Sequence, residues 1–168
     1  VRFVVTGELR RNHLLQVIVV LYVLYVAGLW LTNALLYFQK MGLTPASVVE
    51  YYLGSEERFL SPRSYQGMLE VSHFHLFAMG MLLLVLTHLM LFVPVRNATK
   101  AWLIAVPFLS AALDEGAGWL VRFGHPGFAV LKVLGFLALQ GSLAALMGVS
   151  LWAVFRGSQR SYDGSPPR

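Results

Sequence analysis

Leu14 to Phe38, LLQVIVVLYVLYVAGLWLTNALLYF, runs for 25 residues without one charged side chain. About 20 apolar residues rising 1.5 Å each cross the ~30 Å hydrocarbon core of a bilayer, so this stretch reads as a membrane-spanning helix. Arg10 and Arg11 precede it, as in a secretory signal. The run is too long for a signal core and lacks a small-residue cleavage site, which makes it an uncleaved anchor. Three further runs follow, at about 68–93, 101–120 and 128–155. The third spans only if Ala117, Trp119 and Leu120 carry it past Asp114 and Glu115. The chain is therefore expected to be an all-α integral membrane protein, a four-transmembrane-helix bundle over residues 1–155, with a mobile tail over 156–168 that has nothing to bury.

Composition agrees. Hydrophobic residues make up 57% and charged residues 12%, against about 25% charged in soluble domains, so lipid must solvate most of the surface. With no cysteine, thiolate metal sites, iron–sulfur clusters and covalent c-type haem through this chain are excluded. Any cofactor must be held by His, Met, carboxylate or backbone. A net charge of +5 does not indicate nucleic acid, because the basic residues stand at segment ends rather than in a stripe. Their distribution reads as topology. Arg2, Arg10, Arg11, Arg96, Lys100, Arg156, Arg160 and Arg168 lie on one side, while Glu50, Glu56, Glu57, Glu70, Asp114 and Glu115 lie on the other. The positive-inside rule then puts both ends in the cytoplasm of a multi-pass protein of the bacterial inner membrane.

The one long loop carries its own signals. Thr44 is placed to cap a helix, Pro45 suits its first position and Gly54 its end, which predicts a short helix over 45–53. Its Val48, Val49, Tyr51, Tyr52 and Leu53 suit the outer membrane interface or a docked partner subunit. Ser61 and Pro62 repeat the start signal, so the second spanning helix is expected to begin before its apolar stretch and stand out of the bilayer. Gly135, Gly141, Ala144, Ala145 and Gly148 give the fourth run small residues suited to helix packing, and Trp30, Trp102, Trp119 and Trp152 read as interface anchors.

The histidines fall at two depths. His73, His75 and His125 lie toward the outer side, His88 and His13 toward the inner. His73 and His88 are about 22 Å apart along a helix axis and about 60° apart around it, and Gly80 falls within about 20° of His73. That stripe presents imidazole, bare backbone, imidazole. His75 points elsewhere, because residues two apart do not share a face. Glu70, one turn before His73, is placed to orient its ring, and Arg122 and Lys132 either neutralise acidic groups of a cofactor or snorkel to headgroups. Asp114 and Glu115 read as hydrated acids near the outer boundary, with proton relay or cation binding as the alternative.

From Glu70-Val-Ser-His73-Phe-His75 to Thr87-His88 the sequence resembles the haem-bearing helix of small b-type membrane cytochromes, which stack two haems across a four-helix bundle. The resemblance covers essentially this one helix. It implies one or two haem b groups, an outer one on His73 and His125 with His75 as substitute, an inner one on His88 and His13, and Gly80 as the flat face for the macrocycle. It departs from the pattern at His13 and His125, which stand at helix entrances.

The leading expectation is a redox subunit, not itself catalytic, that passes electrons between a periplasmic partner and quinone or another membrane subunit. Two readings stay beside it. One is a haem-free subunit that anchors an oxidoreductase complex; the other is a quinone or metal site on His73, His75 and Glu70.

Overall fold

The computed structural model describes residues 13–162, with side chains described to residue 155. Arg2, Arg10 and Arg11, residues 163–168 and the side chains of Arg156 and Arg160 lie outside the described residues. The fold is all-helical. Four helices, α1 (His13–Lys40), α3 (Tyr65–Met90), α4 (Asn97–Phe123) and α5 (Ala129–Tyr162), are joined by a short α2 (Pro45–Leu53) and by a 3-10 turn, Pro126–Phe128. All four long helices are long and apolar enough to cross a membrane.

α5 is the central helix. Half of its apolar span is buried inside the chain, against 17% for α1 and α3, which therefore present most of their surface to lipid. Leu139, Leu143 and Leu146 of α5 meet Val19, Val23 and Val26 of α1 and Leu83, Leu86 and Met90 of α3 in one apolar cluster. A second cluster at the α2 end joins Tyr37, Met41, Val48, Tyr52, Met68, Val121, Val133 and Phe136. α5 continues to Tyr162, past its expected end at 155: Gly157 weakens a helix without stopping it, and no proline comes before Pro166.

Local chemistry fixes α2. Thr44 accepts from Ser47 N, Pro45 takes the first turn, and Gly54 at φ 84° ends the helix. A side chain at Gly54 would also run into the Leu60 carbonyl and sit 2.9 Å from Pro62 N. The apolar face of α2 is covered by the chain itself rather than by headgroups or a partner: Val48 is fully buried and Tyr52 is 9% exposed. Gly118 admits Tyr52, since a Cβ there would lie 2.8 Å from the tyrosine Cζ.

α3 corrects the expected helix start. Ser64, not Ser61, is the cap, accepting from Gly67 N at 3.1 Å, and the helix begins at Tyr65. Pro62 is instead held against Gly54. α3 stops at Met90, short of the expected 93, because Pro94 disfavours helical backbone before it. The small residues of α5 meet the packing expectation at one position and depart from it at the other four. Gly141, Ala144, Ala145 and Gly148 face outward, and it is Gly135 that brings two helices together, with a Cβ there only 2.8 Å from Asp114 N.

Candidate functional site

Between the two apolar clusters the helices carry a layer of polar residues: Asn33 on α1, Ser72 and His75 on α3, Asp114 and Glu115 on α4, and Lys132 reaching in from α5. Charge at membrane depth is costly unless paired, and here it is paired. Lys132, 7% exposed, brings Nζ to 2.8 Å from Asp114 Oδ1 and donates to the Asp114 carbonyl at 3.0 Å. Glu115 is held from α3 through both oxygens: Ser72 donates to Oε1, and His75 Nδ1 lies 3.1 Å from Oε2. Trp119 Nε1 donates to Ser72 Oγ at 2.8 Å, which turns the hydroxyl proton toward the carboxylate. The expectation that Asp114 and Glu115 are simply hydrated is therefore corrected. Close contact at Gly135 holds Asp114 within reach of Lys132, and α3 lies beside Glu115.

Asn33, His75, Asp114, Glu115 and Lys132 line a cavity of about 420 Å³, with Ser72 and Trp119 behind its wall. Its walls are the α2-end halves of α1, α3, α4 and α5, and its roof is α2 with residues 61–64. Tyr37 lines it from α1. This residue is 6% exposed, its ring is stacked on Phe136 with centroids 3.6 Å apart, and its hydroxyl has no hydrogen-bond partner among the described residues. An unpaired buried hydroxyl costs about 1–3 kcal/mol, so the cavity presents a donor in need of an acceptor. Tyr52 adds a roof hydroxyl; burial, and after it the nearby Asp114 carboxylate, hold that phenol above its usual range, so it keeps its proton. A second cavity of about 180 Å³ shares Asn33, His75, Asp114 and Glu115 with the first and is otherwise lined by apolar residues, Gly80 among them.

The structure brings one of the five histidines to this site, and it is His75. His73 is exposed on α3 with its ring edge-on to Phe74. His88 is exposed beside Phe92, and His13 is exposed at the start of α1. His125 is exposed and spends Nδ1 accepting from Gly127 N at 3.0 Å, which caps the 3-10 turn. Glu70 does not support His73; its Oε1 accepts from Gln66 at 3.0 Å, one turn back on the same exposed face. The carboxylate that holds an imidazole is Glu115, on the neighbouring helix. Arg122 donates Nε to the Arg63 carbonyl at 2.7 Å and lines neither cavity, while Lys132 is in the buried pair rather than at the headgroups. Among the described residues no group of three or more His, Asp or Glu side chains is placed to hold a metal ion.

Tyr37, Asn33 and Ser72 are the site residues that sequence reasoning missed. Asn33 had a signal, as one of the few polar residues in the first apolar run. Trp30 and Trp119, read as interface anchors, instead donate inside the bundle, Trp30 to the Gln140 carbonyl at 3.0 Å.

Residues 42–161 match a family model, Aq_1264_TM, described as a transmembrane helical domain. No curated protein and no solved structure matches the chain. The matched region carries His75, Asp114, Glu115 and Lys132, while Asn33 and Tyr37 precede it.

Proposed function

The chain belongs to the Aq_1264_TM family of transmembrane helical domains, and from that premise we propose that it is a membrane redox subunit whose larger cavity takes a quinone headgroup. The observation that carries this reading is the unpartnered Tyr37 hydroxyl on the same cavity as the His75–Glu115 pair. A quinone offers carbonyl oxygens to both. Its reduction to quinol takes two electrons and two protons. His75 with Glu115 and Lys132 with Asp114 are the proton-bearing groups at the wall. The electrons come from a one-electron carrier of a neighbouring membrane or periplasmic redox subunit. The distribution of basic residues supports the bacterial inner membrane orientation with both ends inside.

Binding of a tail-free benzoquinone to the full chain in lipid nanodiscs tests this. His75→Ala and Tyr37→Phe each remove one hydrogen bond, about 1–1.5 kcal/mol, so each should weaken binding roughly tenfold without unfolding the protein. No saturable binding by the wild type would overturn the reading.

A second reading rests on His73 and His88, which stand exposed on a membrane-spanning helix where ionisable groups are expensive. Their outward position suits a b-type haem held between α3 and a helix of another subunit, with the free Nε2 of His125 or the ring of His13 as further donors. Bis-histidine haem would supply the one-electron couple that the quinone site needs. A reduced-minus-oxidised spectrum with pyridine haemochrome quantitation decides it. A b-type signal lost in His73→Ala or His88→Ala supports this reading, whereas a colourless protein that still binds quinone leaves only the first. If it is colourless and binds none, an anchoring subunit of a larger complex is the better account.

A further inference from the structure

The smaller cavity has the wrong chemistry for a headgroup and the right chemistry for a chain. It meets the larger one at Asn33, His75, Asp114 and Glu115, and beyond them its wall is Met79, Leu83, Phe108, Ala112 and the bare backbone of Gly80. Its volume of about 180 Å³ is close to that of an engineered apolar cavity of about 150 Å³ that holds one benzene. Gly80 lines it with bare backbone, and a Cβ built there meets nothing within 4 Å, so there is room at this wall for a larger side chain. Resting on the quinone reading, we infer that the ligand is a prenylated quinone whose first isoprene unit occupies this cavity, so that the protein distinguishes tailed from tail-free quinones.

Hydrophobic transfer does not drive this step, since a tail in the bilayer is already among hydrocarbon. What the cavity adds is contact with fixed walls that a lipid chain, tethered to its own headgroup, makes less well. Gly80 matters for space, not for backbone conformation. Its neighbours on α3 continue a regular helix, so a larger residue there is tolerated by the backbone and excluded only by an occupant.

Native mass spectrometry of the full chain released from nanodiscs reads the occupancy of each quinone by mass. The probes are one benzoquinone headgroup carrying no tail, one isoprene unit or several, compared at equal membrane concentration. The first isoprene unit is expected to raise affinity about tenfold, and further units to add little once the cavity is full. Gly80→Leu should abolish that gain while leaving the tail-free headgroup bound as in the wild type. Ala112→Leu, which fills the cavity from α4, should do the same, and Gly80→Ala should reduce the gain with the fold intact. Equal affinity with and without the first isoprene unit would overturn the inference and leave the headgroup site standing. So would a Gly80→Leu protein that keeps the gain, which would mean that the isoprene unit is held elsewhere. Failure of every quinone to bind overturns the proposed function itself, and this inference with it.

Discussion

The two halves of the bundle solve the same packing problem in opposite ways. Away from α2, Val19, Val23, Val26, Leu83, Leu86, Leu143 and Leu146 close on one another, and Tyr22 bridges α1 to the Leu82 carbonyl at 3.1 Å. At the α2 end the same four helices border a partly open cavity of about 420 Å³ walled by two acid–base pairs and roofed by a separate helix. Apolar packing at that end would be simpler and more stable. A membrane bundle that carries paired charges and an unsatisfied hydroxyl is less stable than one packed with apolar side chains throughout.

The largest expected effect comes from breaking the pair at the boundary. Lys132→Met leaves Asp114 buried against α5 without its counter-charge, which should cost about 3–5 kcal/mol. Adding Asp114→Asn should recover much of that loss. Both are read from unfolding midpoints in detergent. A single variant as stable as the wild type would mean that water reaches Asp114 and that the two halves differ less than the burial of Lys132 implies.

The next pair of variants separates stability from binding. Leu86→Ala, fully buried in the dry half, should destabilise by about 2–5 kcal/mol and leave quinone affinity unchanged. His75→Ala should do the reverse, because its ring is half exposed and its one described hydrogen-bond partner is Glu115. If Leu86→Ala weakens binding as much as it weakens the fold, the halves are mechanically coupled rather than independent.

Depth was legible in the sequence and rotation was not. Bilayer thickness fixes the length of an apolar run, so four spans could be read directly, and α2 could be placed at 45–53 because Thr44, Pro45 and Gly54 act within a few residues of themselves. The stripe of His73, Gly80 and His88 was equally sound as geometry. Nothing in it said which face of α3 turns inward, and the inner face proved to be Met68, Ser72, Leu83, Leu86 and Met90. Asp114 and Glu115 were misread for a related reason. Their partners, Lys132 and the Ser72–His75 segment, lie on other helices, and only the assembled bundle brings them together.

Gly135 offers a smaller effect at the seam. Gly135→Ala puts a methyl group 2.8 Å from Asp114 N, where backbone rather than a flexible side chain must yield, and should cost about 1–3 kcal/mol. The same change at Gly141, whose Cβ position is open, should be neutral or slightly stabilising through helix propensity. Equal effects at the two positions would mean that α4 and α5 are not in backbone contact beside the pair.

The smallest effect distinguishes the two serines before α3. Ser64 accepts from Gly67 N, so Ser64→Ala should cost about 1 kcal/mol, the usual loss for a helix cap. Ser61 caps nothing in the structure, and Ser61→Ala should leave the unfolding midpoint where it was. The distinction reaches the site, because residues 61–64 form part of the roof over the cavity. A helix begun at Pro62 would wind those residues into α3 and open the space between α2 and the bundle. Begun at Tyr65, it leaves them extended, with Arg63 N bonded to the Tyr52 carbonyl at 3.0 Å and the Arg63 carbonyl taken by Arg122. If Ser61→Ala proves the costlier change, the roof is not closed in the way its hydrogen bonds require, and the cavity is open to water at that end.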